Sequence, residues 1–133
     1  MTSPIVFPDA ELLVVGHLSD RLGVYVCTTL PAGEEFNSRL PIVQVTRIGG
    51  GWIVRKRLDG PRMDLDIYAT GRQAANDLTA QVRAEFEAMK GLMRDGAVVT
   101  RTFEETGPVL RPEERNSGVT RVGFTAGLVL RPA

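Results

Sequence analysis

The clearest structural pattern in the chain runs over Arg62-Met63-Asp64-Leu65-Asp66-Ile67-Tyr68. Apolar and polar side chains alternate along it, which is the period of a strand with one buried face. Thr70 and Gln73 follow at the spacing of a capping box, which marks the start of a helix. The apolar residues of that helix recur at helical spacing, at Leu78, Val82, Phe86 and Met89. The pattern therefore predicts a half-buried strand followed by a helix over residues 71–90.

Outward from this segment, the chain predicts one more helix and several strands. Pro8 suits a first helical turn and Gly23 suits a helix end, so a helix is expected over residues 8–22, with Leu12 and Val15 buried. Residues 31–35 are expected to form a loop. Strands are predicted over residues 24–29, 41–48, 98–103 and 120–131, with a short apolar piece at 52–54.

The order of these elements predicts the fold class. Helices and strands do not alternate regularly, which disfavours a doubly wound parallel sheet. We predict an α+β fold in which a mixed or antiparallel β-sheet packs on two α-helices, as a single domain over residues 1–133. Gly123 and Gly127 share one face of the last strand, where a neighbouring segment could approach closely.

Composition disfavours several classes of function, among them nucleic-acid binding and zinc binding. Sixteen Lys and Arg residues balance sixteen Asp and Glu residues, whereas a dedicated nucleic-acid binder is normally basic. Cys27 and His17 are the only residues of their types, so neither an intrachain disulfide nor a Cys-plus-His zinc site can form. The first residues lack the pattern of a signal peptide, and no apolar run is long enough to span a membrane. We expect a soluble, non-secreted protein.

Few residues have the pattern of a catalytic site. Asp64 and Asp66 point to the same side of their strand, as a pair that holds Mg²⁺ in a nuclease would. The sequence supplies no recognisable third ligand, so both are predicted to be surface carboxylates. His17 is expected on a helix surface, and Cys27 is expected to be a small buried residue. We therefore predict no catalytic residue, no metal ligand and no cofactor.

Two segments have the features of binding surfaces. Arg55-Lys56-Arg57 is a basic cluster that could follow DNA phosphates, although a solvated turn would have the same composition. Residues 104–118 show no apolar period and predict a long loop, which either orders against a partner or stays a free surface loop. The candidate partner-interface residues in that loop are Val109, Leu110, Arg111, Glu113, Glu114 and Arg115.

The order of segments carries a resemblance over roughly residues 8–131. The segments that carry it are Pro8-Asp9-Ala10-Glu11-Leu12-Leu13-Val14-Val15, Leu40-Pro41-Ile42-Val43-Gln44-Val45, Arg47-Ile48-Gly49-Gly50, Arg62-Met63-Asp64-Leu65-Asp66-Ile67-Tyr68-Ala69, Ala74-Ala75-Asn76-Asp77-Leu78 and the end of the chain from Arg121 to Arg131. With them the chain resembles the tail terminator, or tail completion, proteins of long-tailed phages that infect actinobacteria. The resemblance is one of pattern and length, and it carries over no invariant functional residue.

The resemblance implies a structural virion protein with no enzymatic activity. Such a protein forms a homo-oligomer, a hexameric ring, on the head-proximal end of the tail tube, where it stops tube polymerisation and offers a docking surface to a head-completion or stopper protein. It would act at the neck of the virion after assembly in the host cytoplasm. Genomic DNA would pass through the lumen without sequence-specific binding, and Arg55, Lys56 and Arg57 are candidate lumen contacts. No membrane is involved.

Three alternatives remain open on the sequence alone. The chain could be another neck protein, such as a head–tail stopper or adaptor, a dimeric cytosolic binding module, or a small Mg²⁺-dependent nuclease. For a ring, the strand over residues 98–103 and the last strand are expected to supply the sheet edges that pair between subunits.

Overall fold

The computed structural model describes residues 3–133. The helices are α1 (Ala10–Leu22), α2 (Glu34–Arg39) and α3 (Arg72–Glu87). The strands are β1 (Tyr25–Cys27), β2 (Ile42–Arg47), β3 (Trp52–Val54), β4 (Leu58–Asp59), β5 (Arg62–Thr70), β6 (Met93–Arg94), β7 (Ala97–Arg111) and β8 (Val119–Pro132). Helices and strands mix without regular alternation, so the predicted α+β class is confirmed.

All the strands belong to one mixed sheet. β1 runs parallel to β2, and every other pairing is antiparallel. β2 pairs with β5, β5 pairs with β8, and β8 pairs with β7 along its other edge. β4 also pairs with β8, at Asp59 opposite Leu130, and carries β3 on its outer side. The last strand is therefore central in the sheet, and the prediction that it supplies a free edge is wrong.

α1 and α3 pack on one face of this sheet, as predicted, and the main core lies between them. Met63, Leu65 and Ile67 of β5 are fully buried there. The prediction that Leu12 and Val15 of α1 are buried is wrong for Leu12, which is 56% exposed, and holds only in part for Val15, which is half-buried. The four consecutive apolar residues from Leu12 to Val15 allow several rotations of the helix, and the sheet selects the one that buries Leu13 and Val14.

α2 covers part of the opposite face, which we call the second face, so the loop predicted over residues 31–35 is wrong at Glu34 and Glu35. Phe36 is buried and packs edge-on against Tyr68, with ring centroids 5.6 Å apart. A helix of only six residues is too short to show a helical period in the sequence. Its single buried residue, Phe36, gave no pattern to detect.

The helix ends follow the predicted signals only in part. Asp9 caps α1 by accepting from the Leu12 backbone N–H at 3.1 Å, and Gly23 ends the helix in the left-handed conformation. The predicted capping box of Thr70 and Gln73 does not form, because the residue before α3 is Gly71, which has no side chain to accept a hydrogen bond. Gln73 instead donates to Asp77 one turn later.

The prediction of a long loop over residues 104–118 is wrong. β7 continues to Arg111, so only residues 112–118 connect it to β8. The sequence pattern does not indicate this part of the strand, because β7 lies at a sheet edge and is exposed on most of its length. It also contains three register irregularities and Pro108. These features remove the alternating pattern on which a strand prediction depends.

Candidate functional site

Side chains of β7 reach across β8 on the second face. The predicted close approach at Gly123 and Gly127 is confirmed: a Cβ at Gly127 would overlap the ring of Phe103, and a Cβ at Gly123 would overlap the guanidinium of Arg111. The two glycines thus open a path over the central strand. Arg111 uses this path to contact β5, two strands away from its own.

Arg111 meets both carboxylates that the sequence singled out. Its Nη1 donates to Asp66 Oδ1 at 2.8 Å and to Asp64 Oδ2 at 3.0 Å, and its Nη2 donates to Asp64 Oδ1 at 2.9 Å. Arg121 Nε donates to Asp66 Oδ1 at 3.0 Å, and this hydrogen bond raises the pKa of Arg121. The prediction of two surface carboxylates is wrong for Asp66, whose side chain is only 5% exposed.

The contacts of Arg111 with Asp64 and Asp66 disfavour the alternative of a Mg²⁺-dependent nuclease. The carboxylates of Asp64 and Asp66 are engaged by the Arg111 guanidinium, whose positive charge takes the place that a metal ion would need between them. Across residues 3–133, no three His, Cys, Asp or Glu side chains are grouped so that they could hold a metal ion. The geometry is that of a structural cross-link between β5, β7 and β8.

The connection over residues 112–118 folds back onto α2. The guanidinium of Arg115 lies 5.1 Å from the centre of the Phe36 ring, and Asn116 Nδ2 donates to Asn37 Oδ1 at 3.0 Å. Glu113 is 4% exposed in its side chain and pairs with Arg115 at 3.1 Å. Cation–π and charge-assisted contacts of this kind hold the tip against its own subunit.

The structure therefore divides the candidate partner-interface residues into two sets. Arg111, Glu113 and Arg115 bind within the chain. Val109 and Leu110 remain open to a partner, at 45% and 60% exposure, and Glu114 is exposed beside them in sequence. Sequence reasoning could not make this division, because the contacts of the first set lie on β5 and α2.

The outer edge of β7 is the remaining candidate for pairing between subunits. Beyond Val99 no strand of the described chain pairs with it. The edge carries Pro108, which has no backbone N–H, and the charged residues Arg101, Glu104 and Glu105. Irregular register, proline and charge are the features by which natural edge strands avoid adding another strand. The outer edge of β7 is therefore poorly suited to pairing with a strand of another subunit.

The basic cluster lies at the tip of the β3–β4 hairpin. Arg55, Lys56 and Arg57 form its turn and are exposed, and no carboxylate of residues 3–133 comes within ion-pair distance of them. The adjoining strand, Trp52–Val54, is apolar and exposed along its whole length, with Trp52 at 63%. The hairpin thus presents an apolar strand and a cationic turn together.

The base of this hairpin is fixed by a partly buried ion pair. Arg47 Nη1 and Nη2 donate to the two oxygens of Asp59 at 3.0 and 3.1 Å, and the Asp59 side chain is nearly inaccessible. The same guanidinium donates to the carbonyls of Gly49 and Gly50. Gly50 has φ +80°, and a Cβ there would overlap the carbonyl of Gly60. These contacts fix the apolar strand at the outer edge of the sheet, where β4 connects it to β8.

A groove of about 310 Å³ opens between α3 and β7, and we call it the α3–β7 groove. Its apolar lining comes from Ala84, Phe86, Phe103, Phe124 and Ala126. At its rim Arg83 forms a two-pronged ion pair with Glu104, at 2.7 and 2.8 Å. Glu87 also lines it, and its carboxylate makes no ion pair within residues 3–133.

The lone histidine and cysteine are both buried. The expectation that His17 is a surface residue is wrong, because the ring packs between α1 and α3 with Nε2 3.1 Å from the backbone carbonyl of Glu85. Cys27 is buried and unpaired, as predicted, and burial raises the pKa of its thiol. Neither side chain is positioned as a nucleophile.

No helix in the described part of the chain has the length and apolar character needed to cross a membrane.

Comparison with known proteins agrees with this geometry. The family described as "Phage tail termination protein" matches residues 6–126 of the chain. Among solved structures, a chain from "Virion of native gene transfer agent (GTA) particle" has a TM-score of 0.59 at 12% identity, covering 91% of this chain and 89% of that chain. No curated protein matches. The structural match shows a shared fold, and the family match spans most of the chain. This protein therefore belongs to the phage tail termination protein family, and it is a structural protein of phage assembly.

Proposed function

We propose that the protein caps the head-proximal end of the phage tail tube. It would act as a closed ring of identical subunits, six in number, that stops tube polymerisation and then receives a head-completion or stopper protein. The observation that carries the proposal is the family match over residues 6–126. Family membership also supports a non-enzymatic role, at the neck of the virion after assembly in the host cytoplasm. The resemblance of the segment order supports an actinobacterial host.

The exposed end of the β7–β8 hairpin is the proposed contact with the tail tube. Val109 and Leu110 supply apolar area, and Glu114 supplies a charge near the edge of that contact. Arg111 and Arg115 support the contact indirectly, since they hold the hairpin end against β5 and α2. A preformed hairpin loses little conformational entropy on binding, which favours affinity.

The lumen is the proposed path of the DNA. The net charge of zero suits a passage that must not retain DNA, because tight binding depends on many cationic contacts with phosphates. Arg55, Lys56 and Arg57 are the exposed cations that could touch phosphates in transit. Their proposed role there is positioning, without sequence recognition.

The test supplies the protein or its variants to a phage whose own terminator has been deleted. The variant Val109→Ser with Leu110→Ser makes the hairpin end polar, and Leu12→Ser is the matched control because Leu12 is also exposed. Electron microscopy of lysates should show tails of uncontrolled length with the double variant and normal virions with the control. Tails of normal length that fail to join heads would indicate a stopper instead, and normal virions from the double variant would refute the proposed contact.

A further inference from the structure

We propose that the β3–β4 hairpin of one subunit seats in the α3–β7 groove of the next, as the contact that closes the ring. The occupant of the groove is thus a second copy of this chain. The inference rests on the proposed ring and adds the residues that join its subunits. The observations that support it are the exposed hairpin, the size and lining of the groove, and their charges.

The hairpin has the composition of a protein anchor. Trp52, Ile53 and Val54 are consecutive, so they expose both faces of β3 to solvent. An isolated exposed apolar residue is ordinary, but an edge strand with three of them indicates a surface that becomes buried. Tryptophan is also among the residues most enriched at the energetic centres of interfaces. Arg47 and Asp59 hold the strand in place before binding.

The α3–β7 groove is complementary to that anchor in size and polarity. Its volume of about 310 Å³ suits one large apolar side chain such as Trp52, and its accessible apolar surface comes mainly from Ala84 and Phe103 above the buried Phe86 and Phe124. At the rim, Arg83 and Glu104 neutralise each other and Glu87 remains, which leaves one negative charge. The turn of the hairpin carries three positive charges. Lys56 or a flanking arginine can therefore pair with Glu87 at the rim.

The placement of the two surfaces gives the contact the symmetry that a ring requires. Hairpin and groove are different patches of one subunit, and repeated pairing of different patches by a rotation that closes generates a ring. A contact of one patch with its own copy would stop at a dimer. The contact is made by side chains, which agrees with an outer β7 edge that is unsuited to strand addition.

DNA phosphates, proposed above as contacts of the cationic turn in the lumen, leave the apolar strand of the same hairpin without a partner. Duplex DNA offers phosphates to cations, but its bases are stacked on one another and give aromatic side chains no platform. Trp52, Ile53 and Val54 would then stay exposed in a wet channel. The subunit contact uses both the cationic and the apolar parts of the hairpin.

The first experiment measures the mass of the full-length protein over a concentration series, alone and on purified tail tubes. Trp52→Ala should raise the concentration for half-assembly by about thirtyfold or more. Met93→Ala is the control, since Met93 is equally exposed but lies outside both surfaces. Circular dichroism checks that both variants fold. Assembly by Trp52→Ala at the wild-type concentration would overturn the inference and leave the proposed ring intact. A wild-type chain that forms no closed multimer in either setting would refute the proposed ring as well.

A charge exchange then tests which surface receives the hairpin. Lys56→Glu and Glu87→Lys should each weaken assembly, and the double variant should recover most of the loss because the pair is restored with reversed signs. A double variant no better than the weaker single one would overturn the assignment of the groove. Assembly unchanged in Lys56→Glu together with faster DNA release from virions would overturn the subunit contact and leave the turn with only its proposed role in the DNA path.

Discussion

Replacing Asp66 by asparagine removes the negative charge that two arginines share on the second face of the sheet. Arg111 and Arg121 both donate to Asp66 Oδ1, and the Asp66 side chain is 5% exposed. Asparagine has the same shape, so the perturbation is electrostatic. Arg111 keeps Asp64 as a partner, whereas Arg121 loses the one carboxylate within ion-pair distance of it in residues 3–133.

The expected loss follows from the two hydrogen bonds. A bond to a charged group contributes about 1.5–3 kcal/mol and a neutral one about 0.5–1.5 kcal/mol, so two converted bonds lose about 2–3 kcal/mol. Arg111 and Arg121 keep 21% and 29% of their side chains exposed, so solvent screening reduces the loss in unfolding free energy to about 2 kcal/mol. For a chain of this length that corresponds to a melting temperature lower by about 7 °C.

Urea unfolding of the purified protein measures this loss, at one fixed protein concentration because assembly adds stability with concentration. Asp64→Asn is the control with the same change of charge. Asp64→Asn also converts two hydrogen bonds, both from Arg111, but Asp64 is 23% exposed and Arg111 keeps Asp66, so the control should lose less. Equal losses in the two variants, or a loss below about 0.5 kcal/mol in Asp66→Asn, would refute the reasoning.

Three further predictions concern the core, the thiol and an acidic group. Phe86→Ala should lower the unfolding free energy by about 3–5 kcal/mol because the ring is buried. Leu12→Ala should lower it by less than about 0.5 kcal/mol because Leu12 is exposed. Similar losses in the two variants would contradict the orientation of α1 and α3. Cys27 should react with a thiol reagent only as fast as the protein opens, since burial shields the thiol and raises its pKa; rapid native labelling would contradict this. The hydrogen bond from Arg21 lowers the pKa of Glu85 from its ordinary 4.5, so the stability it adds is complete above that value and is lost as pH falls through the folded pKa. Arg21→Gln should raise the Glu85 pKa toward 4.5 in an NMR titration, and an unchanged pKa would show that the contact is absent in solution.

The parts of the fold that could be predicted are those whose signal is local. β5 and α3 follow from the alternation of Met63, Leu65 and Ile67 and from the helical spacing that ends near Phe86, because both elements bury one continuous face. The rotation of α1 did not follow, since Leu12 and Leu13 are chemically equivalent and only the sheet distinguishes them. Periodicity identifies an amphipathic element, but the tertiary partner decides its orientation when apolar residues are adjacent.

The candidate site was harder to predict because its contacts join distant positions. Arg111 and Asp66 are 45 residues apart in the sequence, and no local pattern connects them. The one available signal was the pair Gly123 and Gly127 on a single face of β8, which indicated that something crosses the strand without showing what it is. The strand predicted over residues 98–103 is the first part of β7, and its polar continuation over residues 104–111 was missed for the same reason, since its register is set by β8 rather than by its own composition.

The free edge of β7 connects the fold to the proposed capping role. A subunit that ends polymerisation must bind its neighbours without offering an edge on which further strands can add. The edge of β7 carries three register irregularities and a proline, each of which interrupts the row of backbone hydrogen-bonding groups that strand addition needs. In the proposed ring, assembly would depend on side-chain surfaces, namely the hairpin end at Val109 and Leu110 and the apolar strand at Trp52. When a ring closes, every such surface is occupied by a neighbouring subunit. An open strand edge, in contrast, is presented again by every subunit that adds to it.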